Sequence, residues 1–505
     1  MGSSLRSLGV ALACGLSVLS LVGCPNLPVP DLTPQPEARD THLIRLVHIT
    51  DPQVVDEESP ARSVRTESLV APSWRPHEAL AIHTLDATLQ RINTLHNAGR
   101  ANGRPVDFVV MTGDLCDLAQ ENELRWFMDT MDGEEVTADS GALDGAERDV
   151  PESLNPKLPY RAAGLDREIP WYTCYGNHDG LATGTFPIDQ STALPELWSA
   201  PLFPFVADAL GFHEVDPAWN FMLPSADFSP AIITGAAGAP LRNNGTVLDL
   251  DALESGPIEP DPARRFLSRR TFIEAHLEST TLPRGHGFTN GSLAREEVWY
   301  SARPLPEVPV RLIVFNSVAT GPHYGFPLYF GVLTRKHFEG FLVPALDAAE
   351  AAGEWVILAS HHPSVDFDLP YFEDRVSTGE FRETLARYPG VVLHLAGHTH
   401  RNNASIIPGE HPYIEIETGA IIDYPQEGRM LDLFVADDGA SIRIESRMFS
   451  HADAPTTFSA ESYRLAEIDF GVRDAKARAK SNGESGLGDP KGDLADRDFV
   501  LSLAR

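Results

Sequence analysis

Five short stretches of this 505-residue chain place carboxylate, amide and imidazole groups directly after apolar runs. They are Asp51-x-Gln53, Gly113-Asp114-x-x-Asp117, Gly176-Asn177-His178-Asp179, His361-His362-Pro363 and Gly397-His398-x-His400. Mixed imidazole and carboxylate donors of this kind bind zinc, iron or manganese, and their spacing does not choose among the three. Two divalent ions ~3.5–4 Å apart need many ligands and one carboxylate able to bridge them. Asp114 is the natural bridge. Such a pair lowers the pKa of a water held between the ions, so the chemistry it suits is hydrolysis.

The apolar runs read as buried strands that deliver these groups to one edge of a sheet, where ligands collect in open α/β folds. The first covers Leu43 to Thr50. A helical period follows over Glu78 to Ala98, with Leu80, Ile82, Leu85, Leu89, Ile92 and Leu95 on one stripe, and then a strand over Asp107 to Thr112. A strand, helix, strand unit of this kind closes as a right-handed parallel crossover, which puts the first two motifs at the same edge. A helix over Ala119–Met131 and a strand over Ile169–Tyr175 carry the chain to the third motif. Later come a strand at Val308–Asn316, a helix at Thr334–Ala352, a strand at Trp355–Ser360, a short helix near Phe381–Arg387 and a strand at Val391–Ala396. Tyr413–Glu417, Leu431–Val435 and Ser441–Met448 read as an antiparallel continuation.

Three regions are less regular. Residues 132–168 are acidic and proline-containing, as a surface insertion would be. Residues 181–295 read as a cap with one helix, Ala263–Glu278, and a turn, Gly285-His286-Gly287-Phe288, whose histidine could meet substrate. Residues 471–497 are polar and glycine-rich, a composition of loop or disorder, ahead of a last strand at Phe499–Leu503. Arg62 and Arg65 stand near enough to Asp51 in sequence to line its cleft, or to be plain surface charges.

Taken in order, the five motifs resemble the calcineurin-like metallophosphoesterase superfamily over residues 43–448. The resemblance implies an α/β fold, a four-layer αββα sandwich of two mixed β-sheets flanked by helices. It implies a phosphoric ester hydrolase in which a hydroxide bridging two ions attacks a phosphodiester, phosphomonoester or diphosphate bond, with no covalent protein intermediate. Carried over by residue, it puts Asp51, Gln53, Asp114 and His400 around one metal and Asp114, Asn177, His361 and His398 around the other. His178 would face the substrate as proton donor, oriented by Asp117. His362 is left beyond the ligand shell or facing substrate, while His394 and His48 are core histidines within strands. Gln53 is the main departure, since most relatives have histidine there. The Asp-x-Gln form resembles that of the ADP-ribose and CDP-alcohol diphosphatases of the same superfamily. Glu417 to Gln426 resembles a stretch of bacterial relatives and is read as structural, though its place after His400 could bring it beside the cleft. The rival reading is a catalytically silent binding module that kept the metal-binding fold.

The N-terminus supplies an address. Arg6 precedes an apolar run from Leu8 to Val22, a secretory signal too short for a comfortable membrane span. It ends in Leu21-Val22-Gly23-Cys24, which resembles a bacterial lipobox and makes Cys24 a lipid anchor. The expected organisation is therefore a signal peptide at 1–23, a proline-rich tether at 24–40, a catalytic domain at 41–450 and a partly disordered extension at 451–505. The expected location is the bacterial cell envelope, periplasmic or on the outer surface. A formal charge of −32 argues against nucleic-acid partners, and the resemblance implies a small phosphorylated molecule as the substrate. Cys116 and Cys174 read as two small buried thiols, with a disulfide between them also conceivable.

Overall fold

The computed structural model describes residues 40–59, 75–141, 155–187, 261–318, 329–368, 374–437, 439–481 and 486–505. These belong to a compact unit spanning Ala38–Arg505. In chain order, β1 (Thr41–Ile49) and β2 (Phe108–Met111) flank the long helix α1 (Ala81–Ala101). Helix α2 (Glu121–Asp132) leads to a short pair, β3 (Glu135–Val136) with β4 (Tyr160–Arg161), and then to β5 (Trp171–Thr173). A second short pair, β6 (Leu181–Ala182) and β7 (Phe186–Pro187), precedes α3 (Arg269–Glu278). After β8 (Tyr300–Ala302) and β9 (Val310–Val314) come α4 (Val343–Ala351), β10 (Trp355–Ala359), α5 (Thr378–Leu385) and β11 (Val391–Ala396). The chain finishes with β12 (Asn403–Ile407), β13 (Tyr413–Glu417), β14 (Glu427–Val435), β15 (Ser441–Ser450), α6 (Thr457–Lys480) and β16 (Phe499–Ala504).

The strands form two six-stranded sheets, ordered β16-β15-β14-β1-β2-β5 and β12-β13-β11-β10-β9-β8. Both are mixed, each with a parallel centre that carries the motif-bearing strands: β1-β2-β5 in the first and β13-β11-β10-β9 in the second. This is the mixed α/β architecture expected from the sequence. Side chains alternate across a strand. Leu312, Val314, Ile357, Ala359, Leu393, Leu395, Ile414 and Ile416 of the second sheet share one apolar cluster with Leu46, Val47, Val109, Met111, Leu431 and Leu433 of the first. The intervening Ile313, Val356, Leu358 and Val391 pack instead with Leu346 and Ala349 of α4 and with Phe381 and Leu385 of α5.

The C-terminal region, the 181–295 insertion with its helix, and the strands after β11 differ from the sequence reading. The folded body does not stop at residue 450: α6 packs along α1, and β16, the last strand expected, pairs with β15 at the edge of the first sheet. The buried face of α6 is Ser459, Ser462, Leu465, Ala466 and Asp469, mostly small and polar at helical spacing, so no apolar stripe announces it. Of the 181–295 insertion, residues 188–260 lie outside the described residues. From residue 261 onward it belongs to the body, with Phe272, Ile273 and Phe288 in the main core. Its expected helix starts late, at Arg269, after a separate turn at Pro262–Arg264. Edge strand β12 was not anticipated, and β13 pairs parallel to β11 rather than continuing an antiparallel run. Cys116 and Cys174 are free, buried thiols.

Candidate metal centre

Each motif sits where its strand ends. Beyond Ile49 of β1, Asp51 and Gln53 turn back with φ of 51° and 38°, and beyond β2 Asp114 does the same at 54°. His398 and His400 follow β11 with φ of 68° and 55°. Non-glycine residues in the left-handed region cost energy and persist where a site demands it. Here five of the seven sequence-predicted ligands adopt it. Glycines let the loops meet. A Cβ on Gly176 would come 2.0 Å from Asp114 Oδ1, and one on Gly397 would come 2.0 Å from Thr50 Oγ1 and 2.6 Å from Asp51 Oδ2.

Asp179 locks the second motif to the third. Its carboxylate accepts the backbone N–H groups of Asp114, Leu115, Cys116 and Gly176 at 2.8 to 3.1 Å. The short helix Asn177–Gly180 then starts beside Asp114, whose Oδ1 accepts the His178 N–H at 2.8 Å.

The ligand-bearing side chains converge. One oxygen or nitrogen from each of Asp51, Asp114 and His361 lies within 4.8 Å of the other two, and the same holds for His361, His362 and His398. His361 Nε2 is 3.2 Å from Asp114 Oδ2, and His400 Nε2 is 3.2 Å from Asp51 Oδ1. His398 Nδ1 meets Asn177 Oδ1 at 3.1 Å. Asp51 Oδ1 and His361 Nε2 are buried and make no well-aligned hydrogen bond, facing only His400 Nε2 and Asp114 Oδ2 within the cluster, as donor atoms around a cation would.

Outer contacts aim several of these donors. His361 Nδ1 donates to the Thr112 carbonyl at 2.7 Å, which leaves Nε2 as the lone-pair nitrogen. Asn177 Nδ2 donates to the Gly184 carbonyl at 2.9 Å, turning Oδ1 inward. His400 Nδ1 donates to Asp423 Oδ2 at 2.6 Å. His362 differs from its neighbours: Nε2 donates to the Tyr329 carbonyl at 3.0 Å and Nδ1 accepts from Ser317 Oγ at 2.9 Å, so it has no lone pair to offer despite its proximity. Gln53 lies among the ligands with its Oε1 accepting from Arg75 Nη2 at 2.6 Å and its Nε2 donating to Asp114 Oδ2 at 3.3 Å.

The electrostatics are those of a cation site. Burial alone would lower the His361 imidazole, but the Asp114 carboxylate overrides it and holds the group at about 9. For His400 burial is likewise overridden, by Asp51 and Asp423, again to about 9. His398, pressed by burial and by His362 and His361, lies well below the usual range. Burial raises Asp114, yet His361 and His178 outweigh it and keep it ionised. The carboxylates hold protons on two imidazoles, and a divalent ion would take the place of those protons.

A family model described as calcineurin-like phosphoesterase matches residues 44–305. The chain belongs to the calcineurin-like phosphoesterase family. The matched span of this phosphoesterase holds the first three motifs. His361, His398 and His400 lie beyond it, and the second sheet brings them to the same place. Among solved structures, the phosphoesterase is similar to a dimetal phosphatase from Danio rerio at 10% identity, with a TM-score of 0.38, over 81% of this chain and 99% of that one. No curated protein matches it.

The remaining sequence-predicted residues fall as follows in the phosphoesterase. His178 Nδ1 donates to the backbone carbonyl of Asp117 at 2.6 Å, while the Asp117 carboxylate stands at 3.5 Å. Asp117 therefore aims the imidazole through its main chain, and its carboxylate lies 3.4 Å from Arg75 instead. His48 bonds Thr112 and Thr418, and His394 bonds Ser360 and Glu415, as core histidines do. His286 is buried and stacked on Trp171 at 3.6 Å, within the core and not facing a substrate. Cys24, Arg62 and Arg65 lie outside the described residues. Arg75 and Asp423 belong to no motif, yet both touch groups at the centre. The available signal for Asp423 was its place in the Glu417 to Gln426 stretch that follows His400, and for Arg75 its place in the irregular stretch after Asp51.

Proposed function

We propose that the chain hydrolyses a phosphodiester or diphosphate bond, or less readily a phosphomonoester, of a small phosphorylated substrate at a dinuclear centre. The observation that carries this reading is Asp114. It is one ionised carboxylate gathered with His361 and Asp51, where two ions would need a shared ligand. Asp51, Asp114 and His400 would hold one ion, and Asp114, Asn177, His361 and His398 the other. Manganese, iron or zinc suits such donors. When bound, the pair supplies the Lewis acid and the activated water that hydrolysis requires.

His178 has the geometry of a proton donor. With Nδ1 committed to the Asp117 carbonyl, Nε2 is the nitrogen left to protonate a leaving oxygen. Replacing His178 with alanine should lower kcat by about 10²-fold while both metals stay bound. The manganese-loaded full chain should release p-nitrophenol from p-nitrophenyl phosphate or its bis ester. Inactivity toward both at two metals per chain would favour the silent binding module.

We also propose that the protein is tethered to the bacterial cell envelope through lipidated Cys24, on the strength of the signal and lipobox-like sequence. Among the described residues no helix is long and apolar enough to cross a membrane. Cys24→Ser should move the protein from the membrane fraction to the soluble one.

A further inference from the structure

We infer that Gln53 is a hydrogen-bond donor clamped by Arg75 and not a metal ligand, so that one ion is held by Asp51, Asp114 and His400 alone. This rests on the dinuclear reading above. An arginine side chain can only donate, so the Gln53 atom 2.6 Å from Arg75 Nη2 must be the carbonyl oxygen. The amide nitrogen, which has no lone pair to give a metal, then faces Asp114 Oδ2 at 3.3 Å. For Gln53 to bring Oε1 to the place that Nε2 takes beside Asp114, the amide would have to turn over. Its NH₂ would then point at a buried guanidinium, donor against donor, and the Arg75 contact would be lost.

Arg75 has no freedom to follow. Its side chain is 1% exposed, Nε donates to Asp423 Oδ1 at 2.7 Å, Nη2 reaches Asp423 Oδ2 at 3.4 Å and Nη1 reaches Asp117 Oδ1 at 3.4 Å. Asp423 is fixed in turn by His400 Nδ1 at 2.6 Å and approached by Arg473 at 3.5 Å. The backbone holds Gln53 from the other side, its N–H donating to the Asp114 carbonyl at 3.0 Å. Arg75 is thus a positioning residue: it acts through Gln53, keeping the amide oxygen out of the metal's reach and the N–H on Asp114. The Asp51 side is left with three protein ligands, one imidazole among them, and with a guanidinium nearby. It should be the weaker of the two metal sites.

Manganese titration of the full chain, followed by calorimetry and by metal count, tests this. Wild type should bind two ions with unequal affinity, and Gln53→Ala should leave the weaker affinity nearly unchanged. In an Arg75→Ala background, where the amide can turn, the same Gln53→Ala change should cost affinity. A loss of about tenfold or more at the weaker site from Gln53→Ala alone, the scale of a disturbed metal shell, would overturn the inference while leaving the dinuclear reading intact. A wild-type chain that binds no manganese would overturn both. Should a variant fail to fold, the manganese-loaded crystal structure of wild type decides: Oε1 on Arg75 supports the clamp, and Oε1 in the metal's shell refutes it.

Discussion

On one side of the centre, His361 and Asn177 are aimed by main-chain carbonyls, those of Thr112 and Gly184. On the other, His400 and Gln53 are aimed by the charged side chains of Asp423 and Arg75. The first arrangement follows from strand placement, since the Thr112 carbonyl sits one residue beyond β2. No single substitution removes it. The second depends on an ion-paired chain, Arg473 to Asp423 to Arg75, assembled from segments far apart in sequence. Each of its links can be cut by one change. The comparison teaches that, in the proposed centre, two metal positions sharing one carboxylate would not be equally robust: one is built into the fold, the other is held by a network that can be tuned.

Asp114 is the carboxylate proposed to join the two sides, so Asp114→Asn should have the largest effect. Activity should fall by on the order of 10³-fold or more, the scale of losing a principal charge-stabilising group, and metal count should drop on both sides. Retention of two tightly bound ions would show that the sides are independent.

The next effect concerns the support beneath the fold-held side, where His394 of β11 donates to Glu415 of β13 at 2.8 Å. Burial raises the Glu415 carboxyl, but the bond and charge of His394 outweigh it and bring it from 4.5 to about 2. A carboxyl lower in the folded than in the unfolded chain stabilises fully above its unfolded value and loses that contribution as pH falls toward 2. The loss amounts to about 3 kcal/mol. Urea melts of wild type and Glu415→Gln should therefore converge between pH 4.5 and 2. A gap that stays constant over that window would contradict the assignment.

Asp423→Asn should have a smaller and one-sided effect, costing about 10- to 100-fold in manganese affinity at the His400 position and leaving the other position alone. Equal weakening of both sites would erase the distinction between them.

Much of this was legible in the sequence because strands announce themselves. An apolar run ending in Asp51, Asp114, Asn177, His361 or His398 says both that a strand is buried and that a side chain of metal-ligating type stands at its end, so order and chemistry reinforce each other. The mixed α/β architecture followed from the same runs. What stayed hidden is what depends on neighbours distant in sequence. Asp423 is an ordinary acid until β13 and the following loop carry it to His400, and Arg75 is an ordinary arginine until it is buried against Gln53. Helix α6 was obscured by a buried face of serines and alanine. The role of Asp117 was expected from its carboxylate, but a strand-end turn presents its carbonyl to His178, a choice of atom that residue types do not encode.

The low-temperature electron paramagnetic resonance spectrum of the full chain loaded with two equivalents of manganese tests the shared centre most directly. Two ions ~3.5–4 Å apart across Asp114 should give an exchange-coupled signal, and Asp114→Asn should abolish it. A spectrum of isolated, uncoupled manganese in the wild-type protein would contradict the dinuclear account.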